Sequence, residues 1–139
     1  MFWGNSVDRE KVFKAQKKCI RAIKNLHWTD SCKPHFKELQ ILTFPCLFIY
    51  ETAVFVYRNL SLFENLNNKR YPLRLKVQQS KSVKMRKSIF CLSIPIYNKI
   101  PNDIKKINNI QTFKKSLKTL LINKSYYSIN EYLNDIEIT

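Results

Sequence analysis

Basic residues are the best candidates for a functional site in this sequence, because they recur at spacings that place several of them on one surface. Between residues 11 and 24, six bases follow one another with no acid among them: Lys11, Lys14, Lys17, Lys18, Arg21 and Lys24. At roughly 100° per residue, these six lie along one side of a helix. Soluble helices usually mix charge signs, so such a row suits contact with phosphates. A plainly solvated lysine face is the alternative interpretation.

A second basic group follows the middle of the chain. No acidic residue occurs from Asn65 to Asn102, and large apolar residues are few between Lys69 and Lys87. We interpret 65–88 as an exposed basic loop or arm, in which Tyr71 is more simply a surface tyrosine than a base-stacking one. The candidate phosphate-binding residues of this arm are Lys69, Arg70, Arg74, Lys76, Lys84, Arg86 and Lys87.

The patterns that catalysis requires are missing. A glycine-rich phosphate loop is impossible with a single glycine, and the close carboxylate pair Asp8 and Glu10 lies in a lysine-rich helix. His27, Cys32 and His35 are neighbours in the sequence, but their spacing matches no zinc site and a fourth ligand is lacking. The sequence therefore predicts a protein that is not an enzyme and that holds no metal or cofactor.

The overall charge predicts an anionic partner. The 139 residues carry a formal net charge of +15. Nucleic acid, RNA or DNA, is a better candidate than a membrane surface, since no lipidation signal or amphipathic anchor is visible. A lysine-rich composition imposed by an AT-biased genome is the alternative. We expect an intracellular protein, because there is no secretory leader and the widely spaced cysteines resemble buried thiols.

A hydrophobic core must hold the basic residues in position, and residues 44–60 are the best candidate for the centre of that core. Thr43 is a suitable N-cap, and Pro45 falls in the first turn, where a helix tolerates proline. Apolar residues occupy nearly every side of this segment, which is typical of a buried helix. Glu51 and Arg58 interrupt it, and it is too short to cross a membrane.

The remaining segments complete a small, mainly α, single domain over 1–139. A helix is predicted over 7–25, with one arc of apolar residues packed against the core: Val12, Phe13, Cys19, Ile20, Ile23 and Leu26. A short helix over 31–39 buries Phe36 and Leu39. Residues 69–100 are expected to form a basic extended arm or short strand region, with a strand or extended segment at 89–100 around Pro95.

Helices are also predicted in the C-terminal third of the chain, over 101–107, 110–123 and 129–135. Ser128 and Glu131 have the spacing of a capping box for the last of them. Residues 136–139 form a short tail.

Five segments in order carry a resemblance to a known family. They are Phe2-Trp3-Gly4-Asn5-Ser6, the helix from Val12 to Arg21, Phe36-Lys37-Glu38-Leu39-Gln40-Ile41-Leu42, the segment from Tyr97 to Lys105, and Phe113-Lys114-Lys115-Ser116-Leu117-Lys118. Together the five segments resemble the C-terminal region of reverse transcriptases from non-LTR retrotransposons of the LINE or jockey-like type.

The resemblance implies a helical module downstream of the polymerase palm that helps to hold template RNA or target DNA. The catalytic Tyr-x-Asp-Asp motif of the palm has no counterpart, so no catalytic residue is carried over. We therefore expect a non-catalytic fragment that binds nucleic acid without sequence specificity. The alternatives are a structural module that docks on an upstream polymerase domain or an acidic protein, and an inactive transposon remnant.

Overall fold

A computed structural model of the protein describes residues 8–68, 71–76 and 89–138. Within these ranges the chain is mainly helical, as the sequence predicts. The helices are α1 (Arg9–Lys24), α2 (Lys33–Glu38), α3 (Phe44–Arg58), α4 (Ile89–Lys99), α5 (Asn102–Lys105), α6 (Ile110–Lys124) and α7 (Ile129–Asn134). The strands are β1 (Asn67–Asn68) and β2 (Tyr71–Leu75), and 3₁₀ segments cover Leu60–Leu66 and Ile136–Ile138.

Helix α3 forms the centre of the core and begins where the sequence predicts. The hydroxyl oxygen of Thr43 accepts a hydrogen bond from the Cys46 N–H at 3.2 Å, which satisfies one of the free donors of the first turn. The same hydroxyl donates to the Tyr126 carbonyl oxygen at 2.5 Å. Most of the helix is enclosed, and its fully buried residues are Cys46, Phe48, Ile49, Thr52, Ala53, Val54 and Val56.

Helix α6 runs antiparallel to α3 along its length. The rings of Tyr57 and Phe113 stack with centroids 4.1 Å apart, near the end of α3 and the start of α6. At the opposite ends, the Cys46 thiol donates to the Leu121 carbonyl oxygen at 3.6 Å. The side chain of Asn109 caps α6 by accepting from two N–H groups of its first turn. The predicted helix at 110–123 is thus confirmed.

Residues 89–99 form a helix, and the prediction of a strand or extended segment there was wrong. Pro95 lies inside α4, where it lacks the N–H that would have donated to the Cys91 carbonyl. The helix forms nevertheless because it buries Ile94 and Tyr97 against the core beside α3. Burial of an apolar face outweighs the local cost of a proline when tertiary packing provides most of the helical stability.

The prediction of a short strand within 69–100 is confirmed for β2, which precedes α4. Strands β1 and β2 are antiparallel, with Asn67 opposite Leu75 and an irregularity before Asn68. The amide side chain of Asn98 in α4 accepts from the Leu75 N–H at 2.8 Å and donates to the Leu75 carbonyl at 2.7 Å. The Asn98 side chain therefore makes the two hydrogen bonds that a further strand would make, and it links β2 to α4.

A smaller apolar cluster packs α1 against α2 and Tyr127. Its buried members are Ile20, Cys32 and Phe36. Gln16 links α1 to α3, because its amide donates to the Leu42 carbonyl and accepts from the Phe44 N–H, both at 2.8 Å. This pair of bonds fixes the orientation of α1 about its own axis.

Helix α7 packs against α3 and α4. The Ser128 hydroxyl caps it by accepting from the Glu131 N–H at 3.0 Å, as predicted. The Glu131 carboxylate accepts from the Tyr127 N–H, one residue before the usual capping-box donor. Tyr132 is buried and donates to the Ile96 carbonyl at 2.9 Å. No helix in the described ranges is long and apolar enough to span a membrane.

Candidate nucleic-acid interface

Helix α1 packs through only one edge of the predicted apolar arc, where Phe13 and Ile20 lie. Ile20 is buried as expected, but Val12 and Ile23 are 48% and 62% exposed, and Cys19 is exposed as well. The predicted packing of these three residues was therefore wrong. The hydrogen bonds of Gln16 to the chain on either side of Thr43 turn the helix away from the centre of its apolar arc.

The rotation of α1 also divides the six predicted basic residues into two sets. Lys17 lies toward the domain, with its ammonium 4.8 Å from the Phe13 ring centroid and 5.6 Å from that of Tyr127. Its aliphatic stem covers apolar surface, which a long cationic side chain can do while its charge stays near water. Lys24 forms an ion pair with Glu38. These two lysines hold α1 in place and are poorly placed to contact a ligand.

The other four bases of α1 face outward to different extents. Lys14 and Lys18 are exposed, and neither has an ion pair within the part of the chain that the structure describes. Lys11 pairs with Asp8 at 2.9 Å, but both side chains are largely exposed, so water and salt weaken the pair. The half-buried Arg21 donates to the Asp30 carbonyl at 3.3 Å.

We define the α1 basic row as Lys14, Lys18 and Arg21. These residues are spaced by four and three positions, so their side chains are neighbours on one side of the helix. The row extends over roughly 10 Å of helix axis. It is a surface suited to phosphate contact.

An exposed apolar stripe runs along α1 beside this row. Its members, which we call the α1 apolar stripe, are Val12, Ala15, Cys19, Ala22 and Ile23. The residues recur at helical spacing, so they form one continuous band. The exposed surface of α1 therefore carries an apolar band next to its basic row.

The second predicted basic group is described only in part. Arg74 and Lys76 are exposed at the end of β2 and just beyond it. The arm predictions for Lys69, Arg70, Lys84, Arg86 and Lys87 lie outside the described residues.

The described parts of the two basic groups lie toward opposite ends of α3. The link through Gln16 holds α1 near the N-terminal end of α3. Leu75 of β2 is held by Asn98, whose carbonyl accepts from Lys105. Two residues beyond Lys105, the Ile107 carbonyl accepts at 2.6 Å from the hydroxyl of Tyr57, near the C-terminal end of α3. A helix of this length spans about 22 Å. Arg74 is therefore separate from the α1 basic row, and the two do not form one continuous patch.

A buried lysine near Arg74 was not anticipated. Lys105 is only 8% exposed, and its ammonium donates to the Asn98 carbonyl oxygen at 2.7 Å. Burial, together with the nearby positive charge of Arg74, lowers the pKa of Lys105 to about 8. The apolar residues around position 105 give no sign of this burial, which depends on the long-range packing of α5 against α6.

The histidines and cysteines near the α1–α2 turn have other partners. His27 Nδ1 lies 2.8 Å from the Thr29 hydroxyl, and His35 Nδ1 lies 3.1 Å from a Glu38 carboxylate oxygen. Cys32 is buried, with its thiol directed to the Lys17 carbonyl. Within the described ranges no group of three or more His, Cys, Asp or Glu side chains could hold a metal ion.

Trp28 is the residue with functional potential that the sequence interpretation missed. It lies in the turn between α1 and α2 and is 77% exposed. The isolated position of Trp28 among polar residues is the signal that could have identified it, since a tryptophan without apolar neighbours in the sequence has less to pack against.

Comparisons with known proteins add no further constraint. Neither protein-family models, nor curated proteins, nor solved structures give a match to this chain.

Proposed function

We propose that this protein is a non-catalytic nucleic-acid-binding domain that contacts phosphates without reading sequence. The observation that carries the proposal is the placement of Lys14 and Lys18, which lie one helical turn apart on the same side of α1, are exposed, and have no ion pair among the described residues. Free ammonium groups on one face exchange counterions for phosphates, which is the main source of non-specific affinity.

The charge of the whole chain supports the same function. A net charge of +15 on 139 residues raises the local concentration of a polyanion and speeds its association. The α1 basic row would then be the primary contact. Arg74 and Lys76 at the other end of α3 would form a secondary contact for a longer strand.

The experiment that tests this function is the salt dependence of binding. A labelled oligonucleotide of mixed sequence is titrated with the protein at several salt concentrations, and log K is plotted against log salt. A steep negative slope, corresponding to several phosphate contacts, is expected. A flat plot, or no binding at low salt, would contradict the proposal.

We also infer descent from the C-terminal region of a non-LTR retrotransposon reverse transcriptase. The five ordered segments of the sequence support this inference. One of them, from Tyr97 to Lys105, forms one structural unit in which Asn98 bonds to β2, Pro101 precedes α5, and Lys105 donates to the Asn98 carbonyl. The genomic sequence upstream tests this origin. A polymerase frame with a palm motif in register would support it, and an unrelated upstream frame would count against it.

A second candidate function, docking on a protein, is favoured by the α1 apolar stripe. The stripe adjoins exposed lysines, so a matching partner would be a helix with an apolar face and an acidic edge, on a polymerase domain or another acidic protein. A pull-down from nuclease-treated lysate would retain such a partner. Replacing Val12 and Ile23 with serine should then release it without changing affinity for nucleic acid.

A further inference from the structure

Trp28 is presented to solvent by an ordered turn. The Asp30 carboxylate accepts from the His27 N–H at 2.8 Å, and the Asp30 N–H donates to the His27 carbonyl at 3.1 Å. The Thr29 hydroxyl lies 2.8 Å from His27 Nδ1. Tryptophan is highly buried on average, so an indole held 77% exposed on a hydrogen-bonded turn requires an explanation.

This turn is joined directly to the α1 basic row. The Arg21 guanidinium donates to the Asp30 carbonyl oxygen at 3.3 Å, two residues beyond Trp28. Lys18 is one helical turn before Arg21, and Lys14 is one turn earlier again. An exposed indole therefore follows a row made of two exposed lysines and the half-buried Arg21 at one end of the domain.

We propose that the α1 basic row and Trp28 together form a binding site for single-stranded nucleic acid, RNA or DNA. This inference rests on the proposed function and specifies its ligand. Phosphates of the strand would contact Lys14 and Lys18, and one base would stack on the Trp28 indole.

Single strands fit this arrangement better than duplexes do. In a duplex the bases are stacked on one another and are not available to an external ring. In a single strand every base has an exposed π-face, so stacking adds affinity without sequence preference. The basic row alone would bind both forms, and Trp28 would favour the single strand.

The test measures how Trp28 affects binding of single strands and duplexes. The background is Trp3→Phe, which leaves Trp28 as the sole tryptophan. Oligodeoxyuridine and oligouridine of equal length, and a mixed-sequence duplex, are titrated against this protein and against its Trp28→Ala and Trp28→Phe derivatives. Leu62→Ala, which truncates another exposed apolar side chain, is the matched control.

We expect single strands to quench the Trp28 fluorescence. Trp28→Ala should weaken single-strand binding by about five- to 150-fold. It should change duplex binding much less, while Trp28→Phe should retain part of the affinity and Leu62→Ala should retain it all. Because oligodeoxyuridine and oligouridine differ only in the 2′-hydroxyl, a difference between them would identify the preferred sugar.

The failures of the two proposals can be told apart. If single strands bind but Trp28→Ala binds them as the parent protein does, the stacking site is refuted and the nucleic-acid function stands. If neither single strands nor the duplex bind the parent protein, both proposals are refuted.

Discussion

The side chain of Asn98 pairs with both backbone groups of Leu75, accepting from its N–H at 2.8 Å and donating to its carbonyl at 2.7 Å. This geometry copies the pairing that a neighbouring strand would provide. The carbonyl of Asn98 in turn accepts from Lys105 at 2.7 Å. One residue thus connects β2, α4 and α5 at the end of the domain away from α1.

Replacing Asn98 with alanine should weaken this connection. Leu75 is buried, so its N–H and its carbonyl would each lose the hydrogen bond to Asn98. We expect the free energy of unfolding to fall by about 2 to 4 kcal/mol. Urea denaturation measures the loss, and hydrogen exchange of the Leu75 amide locates it. Asn123→Ala, an exposed change of the same kind on α6, is the control. Undiminished protection of the Leu75 amide in Asn98→Ala would refute the role given to this pair.

The adjacent residues Leu47 and Phe48 of α3 should respond very differently to truncation. Phe48 is 2% exposed, so Phe48→Ala leaves a cavity and should cost about 3 to 5 kcal/mol of stability. Leu47 is 36% exposed, and Leu47→Ala should cost less than about 1 kcal/mol. Thermal or urea unfolding compares the two. Similar losses would mean that α3 is oriented otherwise.

Thiol reactivity should report the rotation of α1. Cys19 is exposed, whereas Cys32 and Cys46 are buried, and burial raises the pKa of the Cys46 thiol to about 11. Because the thiolate is the reactive form, a water-soluble maleimide should label Cys19 well before the two buried thiols. Peptide mass spectrometry assigns the label. Protection of Cys19 to the same extent as Cys32 would instead support the packing face that the apolar arc predicts.

The buried Lys105 should make stability depend on pH. Its pKa is about 8 in the folded protein and near 10.5 when unfolded, so between these values the unfolded chain binds more protons. The cost of burying the charge is present in full below pH 8 and is relieved as pH rises. Between pH 8 and 10.5, Lys105 therefore increases the free energy of unfolding by at most about 1.4 kcal/mol per pH unit.

Comparison with Lys105→Met isolates this contribution. Burial raises the pKa values of Cys46 and Tyr97, to about 11 and about 12, and such shifts lower stability at pH above about 9 in both proteins. The difference in unfolding free energy, wild type minus variant, should therefore increase from pH 8 toward 10.5. Parallel profiles for the two proteins would show that Lys105 is not buried as described.

The sequence predicts those elements whose local signals agree with their packing. Thr43, Pro45 and an unbroken apolar run define α3, and Asn109 and Ser128 accept the capping bonds of the helices that follow them. At α4 the local and tertiary preferences disagree. Pro95 favours an extended chain, but burial of the apolar side chains around it favours the helix. The free energy gained by that burial depends on residues distant in the sequence, so it cannot be judged from local sequence.

The candidate site could be predicted in composition but not in geometry. Periodicity identifies the cations of α1, yet the rotation of the helix depends on Gln16 bonding to residues 26 and 28 positions away. That rotation engages Lys17 and Lys24 in the fold and leaves Val12 and Ile23 exposed. Long-range polar contacts of this kind have no periodic signature.

The central claim is that the free lysines of α1 contact phosphates, and a charge-matched comparison tests it most directly. Lys14→Gln with Lys18→Gln removes two charges from the basic row, and Arg58→Gln with Lys118→Gln removes two exposed charges elsewhere. Salt titrations of single-strand binding should show the slope of the first variant reduced by about 1.4, and that of the second nearly unchanged. Equal reductions in the two variants, or none in the first, would contradict the account.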